Sequence, residues 1–244
     1  MSKIRVGILW CLLGLILSTA EANAQGLSIE VLDDNSLTLK TLQLIILITV
    51  LSLAPGIAIM VTCFPFIVTV LSILRQALGL QQAPPNMLLV SLALFLTYFI
   101  MEPVFKAAWI DGISPFFSQK MAVEDAFQKT IAPFSKFMLG RVDHDTLSAL
   151  SALRNLDLQS ESPPPLSVLI PSFMLSEIAR AFQIGFLIFL PFVIIDLVVA
   201  AILMSMGMMM VPPAMVALPF KLAFFVVANG WALIAEALVR GYIH

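Results

Sequence analysis

The chain has 244 residues, of which 60% are hydrophobic and 11% charged, and its mean hydropathy is +1.02. Soluble domains carry about 25% charged residues, so the composition excludes an ordinary soluble domain and indicates an integral membrane protein or a subunit of a very apolar complex. The net charge of −2 argues against a general nucleic-acid partner, because phosphate binding needs a basic surface.

Residues 1–24 read as a secretory signal, the alternative being an uncleaved first membrane helix. Lys3 and Arg5 form a basic start, residues 6–17 a short apolar run, and Ala22-Asn23-Ala24 the small residues of a cleavage site. Cleavage after Ala24 leaves Cys63 as the one cysteine of the mature chain, so no internal disulfide is available. Residues 25–40 are polar and form the mature N-terminus. Residues 41–74 hold no charge. As a single helix they would run ~51 Å, against a hydrocarbon core of ~30 Å, so breaks are expected at Pro55-Gly56 and at Pro65. Arg75 opens a polar stretch ending in Pro84-Pro85, and residues 86–101 form a second apolar helix, shorter than the ~20 residues of an ordinary span. One over-long and one under-long segment suggest helical hairpins packed against other subunits.

Residues 102–171 differ in kind and hold most of the mature chain's charges. Helices are expected at 119–129 and at 131–158, the latter interrupted near Gly140 and Asp143. Ser162-Pro163-Pro164-Pro165 closes the region as a stiff linker. This reads as a helical extramembrane insertion, periplasmic if a periplasmic N-terminus is followed by two crossings.

Residues 172–244 are apolar again. Ser172 or Ser176 can cap or continue a helix, and Glu177 and Arg180, three apart, can pair on one face. Residues 190–213 carry one acid, Asp196, then five methionines from Met204 to Met210, and end in Pro212-Pro213, which cannot continue a helix. The following run carries one base, Lys221. A charge in hydrocarbon costs roughly 2.5–3.5 kcal/mol on insertion scales and is retained for pairing or function. The fold expected is therefore all-α, with a signal (1–24), N-terminal apolar helices (25–101), the insertion (102–171) and C-terminal apolar helices (172–244).

Four ordered motifs, SEIARAFQIGF (176–186), PFVIID (191–196), MGMMMVPP (206–213) and LPFK (218–221), resemble the FliP family of the flagellar type III protein export gate and its injectisome relatives. The likeness extends more loosely to the signal, to Pro84-Pro85-Asn86 and to Phe137-Met138-Leu139; the insertion matches least well. The resemblance implies a homopentamer that forms the secretion pore with FliQ-like and FliR-like subunits. It further implies FlhB-like and FlhA-like partners on the cytoplasmic side, unfolded protein substrates, and a pore closed by a methionine ring.

Met208, Met209 and Met210 are accordingly the candidate gasket, since the unbranched thioether fills irregular gaps and yields to a passing chain; the alternative is filler in an apolar core. Gly207, Pro212 and Pro213 are the candidate corner. Asp196 and Lys221 can pair within the chain, meet partners on other subunits, or reach toward water. Glu177 and Gln183 are candidate subunit contacts or members of a solvated first turn, and Phe137 is a candidate core residue or subunit contact. No nucleotide-binding P-loop, nucleophile triad, metal set or cofactor motif is visible: His144 and His244 form no cluster, and Asp196 has no second Asp in the apolar segments for intramembrane proteolysis. The competing reading is an ion-coupled membrane transporter with Asp196 and Lys221 as its relay.

Overall fold

The computed structural model describes residues 34–80, 83–119, 121–156, 163–208 and 210–243, and of residues 34–39, Ala54 and Ile243 the backbone alone. The signal with its site at Ala24, Met209 and His244 lie outside the described residues. Of the described residues, those up to Leu53 belong to one unit and those from Ala54 onward to another.

Helix α1 (Asp34–Met60) belongs to the first unit as far as Leu53, and its described side chains from Lys40 to Leu53 are exposed. It runs through Pro55, so the break expected there does not occur. The break comes at residues 61–63, where Thr62 Oγ1–H donates to the Ile59 carbonyl (2.9 Å) and the same oxygen accepts the Phe64 N–H (3.4 Å). Helix α2 (Phe64–Ala77) then opens with Pro65 in its first turn, where a missing N–H is harmless and the fixed φ suits a helix start.

Phe66, Ile67, Val70, Leu71, Leu74 and Ala77 repeat at three and four residues along α2 and are buried, the spacing of one helical face. They centre the main core, to which Leu89, Ala93, Met101, Ala181, Phe192 and Leu238 also contribute. Gly185 lets the crossing helix approach closely: a Cβ there would lie 2.4 Å from Ile73 Cδ1.

Helix α3 (Asn86–Ala108) continues through one π turn (Trp109–Ile113) into α4 (Ser114–Phe117). The expected short helix of 86–101 is thus corrected to a 32-residue rod, Asn86–Phe117. The charges that mark its apparent end do not stop it, because Glu102 and Lys106 pair one turn apart at 2.6 Å.

Within the insertion, α5 (Val123–Leu139) and α6 (His144–Leu153) replace the two expected helices. α5 passes through residue 130 without a break and accommodates Pro133, while the interruption falls at 140–143 as expected. Asp143 caps α6 by accepting the Thr146 N–H at 3.0 Å. The π turn packs on α5 so closely that a Cβ on Gly112 would lie 2.7 Å from the Thr130 backbone nitrogen.

Helix α7 (Leu166–Ser205) follows Pro165 and runs 40 residues through Pro171 and Pro191, ~60 Å at 1.5 Å per residue. Ser172 and Ser176 lie buried inside it and donate to the Val168 and Ser172 carbonyls, continuing the helix rather than capping it. After a corner at 206–212, α8 (Pro213–Val227) returns along α7, and α9 (Gly230–Ile243) leaves it at 62°.

No strand occurs among the described residues. Lys40–Met60, Asn86–Phe117 and Leu166–Ser205 are each long and apolar enough to cross a membrane, and α8 with α9 qualifies as a bent fourth span. The protein is an all-α membrane protein.

Gly112→Ala forces α5 to shift and should cost about 1–3 kcal/mol, read as a lower thermal midpoint in detergent. Gly56→Ala, with nothing within 4 Å of its Cβ, should leave the midpoint level or higher. The Thr146 N–H and hydroxyl hold the Asp143 carboxyl below its ordinary value of 3.8. Its contribution is therefore complete above that value and is lost as pH falls through the depressed one. Asp143→Asn keeps a cap but removes this acid dependence, so wild type and variant should converge on acid titration of the melting midpoint.

Candidate functional site: two charge clusters and a methionine corner

Lys221 sits in α8 and is 6% exposed. Its Nζ lies 2.6 Å from Asp196 Oδ2 on α7 and donates to the Ala77 carbonyl at 3.2 Å. That carbonyl belongs to the last turn of α2. There Leu78 N–H bonds to Leu74 O, Gly79 N–H to Gln76 O and Leu80 N–H to Arg75 O, with Gly79 at φ +77°. This Schellman arrangement satisfies the neighbouring carbonyls and leaves that of Ala77 for an outside donor. An ammonium suits the position, because the C-terminal end of a helix carries partial negative charge. Lys221 therefore joins three helices with one charge. Asp196 Oδ1 is buried and has no hydrogen-bond partner among the described residues.

The second cluster surrounds Glu177, which is 0% exposed. Its Oε1 accepts from Arg141 Nε (3.3 Å) and Arg180 Nη1 (3.2 Å), and its Oε2 accepts the Tyr242 hydroxyl. Arg141, in the turn between α5 and α6, also donates to the Gly241 carbonyl at 2.7 Å and lies 4.0 Å from the Tyr242 ring centroid, within cation–π range. Phe137 stacks on Tyr242 (6.0 Å between centroids) and meets Phe173 edge-on. The insertion, α7 and the C-terminal helix thus meet at one carboxylate. The i,i+3 spacing identified Arg180; Arg141 and Tyr242 were missed, being 36 and 65 residues away in sequence. Gln183 is exposed and stands apart from the cluster.

At the corner, Gly207 N–H bonds to Met204 O and Met208 N–H to Leu203 O, with Gly207 at φ +74°. It is the left-handed residue that ends α7, a role for which glycine carries no steric cost. Pro212 caps α8 and Pro213 opens it. Between them Met210 is 98% exposed and Met208 is 42% exposed. Beside them runs an apolar groove of about 530 Å³, bounded by Ile195, Val199, Leu203, Met208 and Val216. No group of three or more His, Cys, Asp or Glu suited to a metal occurs among the described residues.

Lys221→Met strands Asp196 and the Ala77 carbonyl. Breaking a buried pair costs 3–5 kcal/mol, but Asp196 is more than a third exposed, so solvent should reduce this to about 1–3 kcal/mol, measured by thermal unfolding in detergent. The swap Asp196→Lys with Lys221→Asp should recover only part of the loss, since an aspartate cannot donate to Ala77.

The chain matches the model of the FliP family over residues 47–238. It is 51% identical to the flagellar biosynthetic protein FliP of Caulobacter vibrioides over 207 residues, 84% of this chain and 78% of that one. It is 45% identical to the Bacillus subtilis protein of the same name, covering 83% and 92%. With that of Aquifex aeolicus the identity is 42%, covering 93% and 97%. The four motifs at 176–221 all lie inside the matched region, and the chain belongs to the FliP family.

Proposed function

We propose that this chain is a core subunit of the flagellar type III protein export gate, where it forms the secretion pore with FliQ-like and FliR-like subunits. In this reading five copies assemble around an axis in the bacterial inner membrane. Much of each chain stands on the periplasmic side, FlhB-like and FlhA-like proteins dock from the cytoplasm, and unfolded protein substrates pass through. The chain performs no covalent chemistry and serves flagellar biosynthesis, as its relatives' names say of them.

One observation carries the proposal. Along α7, large apolar side chains from Leu175 to Met204 are exposed, a stretch of ~44 Å at 1.5 Å per residue. A hydrocarbon core of ~30 Å covers it only at a tilt of about 47°, beyond the 0–40° range of membrane helices. Tilt alone does not bring the whole face into lipid, which favours other protein covering part of it. Met210 supports the rest: at 98% exposed it is not filler in its own chain's core, and Met208 beside it is part-exposed at the mouth of the apolar groove, positions suited to side chains that meet others across an axis.

The ion-relay alternative has less to support it. Lys221 is almost fully buried, and its bonds to Asp196 and Ala77 tie helices together rather than line a path.

The test uses the triple variant of Met208, Met209 and Met210 to Ala. Alanine removes the side chains that would exclude water from an apolar constriction. The variant should co-purify with FliQ-like and FliR-like chains in one large complex and leak ions when no substrate is present, seen as loss of membrane potential. Leu at the three positions should seal better than Ala. A complex that assembles normally and shows no added leak would remove the gasket; a chain that purifies alone and still transports would remove the gate.

A further inference from the structure

The C-terminal helix is built differently at its two ends. At its start, Asn229 takes φ +50°, a left-handed conformation that Asn tolerates better than most residues. Gly230 follows, where a Cβ would lie 2.2 Å from the Phe225 ring, and Trp231 meets that ring edge-on at 5.3 Å. The joint between α8 and α9 is thus a defined bend with a packed pivot. At its far end, Tyr242 touches four separate segments: Phe66 of α2 (5.5 Å, edge-on), Phe137 of α5, Arg141 after α5, and Glu177 of α7. Between the two ends, Leu238 is buried in the main core.

We propose that α9 is a hinged strap across the α2–α3–α7 core, and that Tyr242 is the positioning residue that latches it shut. The charge arrangement at the latch supports this. If α9 swings away, Glu177 loses the phenol but keeps Arg141 and Arg180, and Arg141 loses the Gly241 carbonyl but keeps Glu177. No buried charge is left unpaired, so opening avoids the main penalty for breaking a buried ionic cluster. The same does not hold for α8, whose departure strands Asp196 and the Ala77 carbonyl. The chain is therefore divided at Asn229 into a fixed part, anchored by Lys221, and a releasable one. A cavity of about 410 Å³ beside the latch, bounded by Val104, Pro133, Phe137 and Tyr242, gives the ring room to leave.

The experiment measures distances between spin labels in the full chain, in a background with Cys11 and Cys63 changed to Ser and diluted with unlabelled chain. One pair, at Leu233→Cys on α9 and Phe99→Cys on α3, reports the strap. A control pair, at Gln76→Cys on α2 and Phe186→Cys on α7, reports the core. In Tyr242→Ala the strap pair should gain a second population about one helical turn (~5 Å) or more away, with the control pair unmoved. Tyr242→Phe keeps the ring against Phe137 and Arg141 and should retain mainly the wild-type distance. A strap distance unchanged in Tyr242→Ala overturns the proposal. Movement of both pairs together does so too, since Tyr242 would then be a general core residue and not a latch.

Discussion

Two carboxylates on one apolar rod organise this molecule. Helix α7 is hydrophobic over most of its 40 residues, yet it carries Glu177 fully buried and Asp196 half-buried. An acid removed from water is tolerable only with cations and donors around it, so each fixes what must pack beside it. Glu177 requires Arg141, which draws the insertion onto α7, and it engages Tyr242, which draws in the C-terminus. Asp196 requires Lys221, which turns the chain back after the corner. Apolar contact alone specifies neither partner nor register, because one greasy face packs on another in several ways. The two acids, 19 residues or ~28 Å apart along the rod, remove that freedom at both of its levels.

Lys221 does more than neutralise Asp196. The C-terminal turn of α2 is closed by Gly79 in a pattern that leaves one carbonyl over, and the ammonium takes it. A helix end, an acid and a base from three segments thus meet at one ammonium, and without it the Ala77 carbonyl loses its donor and Asp196 its counter-charge. Such mutual dependence makes a junction specific as well as stable. It also explains why a base persists in a helix that is otherwise apolar: no hydrophobic side chain can serve a carbonyl and a carboxylate together.

Legibility in the sequence followed the range of the forces. Local rules worked: Pro65 opens a helix, Gly140 to Asp143 interrupts one, Pro212-Pro213 ends the methionine stretch, and Glu177 meets Arg180 one turn away. Local rules also misled where a neighbour overrode them. Pro55 stays inside its helix, because an apolar rod keeps its remaining backbone bonds where nothing else can satisfy them. Glu102 looked like the end of a helix because its charge was weighed without Lys106. Partners tens of residues away, Arg141 and Tyr242 for Glu177 and the Ala77 carbonyl for Lys221, left no periodic or spacing signal, since only the packed chain brings them together. The methionine corner was visible as composition, but its exposure was not: a run of apolar residues reads alike whether it is covered or bare.

Stiffness and compliance lie close together at the corner, and their order along the chain has a mechanical consequence. The Asp196–Lys221 tie sits less than three turns before the end of α7. Beyond it the chain has a glycine in a left-handed conformation, two prolines that limit how the backbone can move, and Met210, whose side chain is almost wholly exposed. A segment anchored in this way can rearrange its thioethers, each with several rotamers of similar energy, while the helices behind it stay fixed. Deformation is thereby confined to the tip. Had the charge tie been placed at the corner itself, any rearrangement there would have separated a buried pair, and the tip would have been rigid.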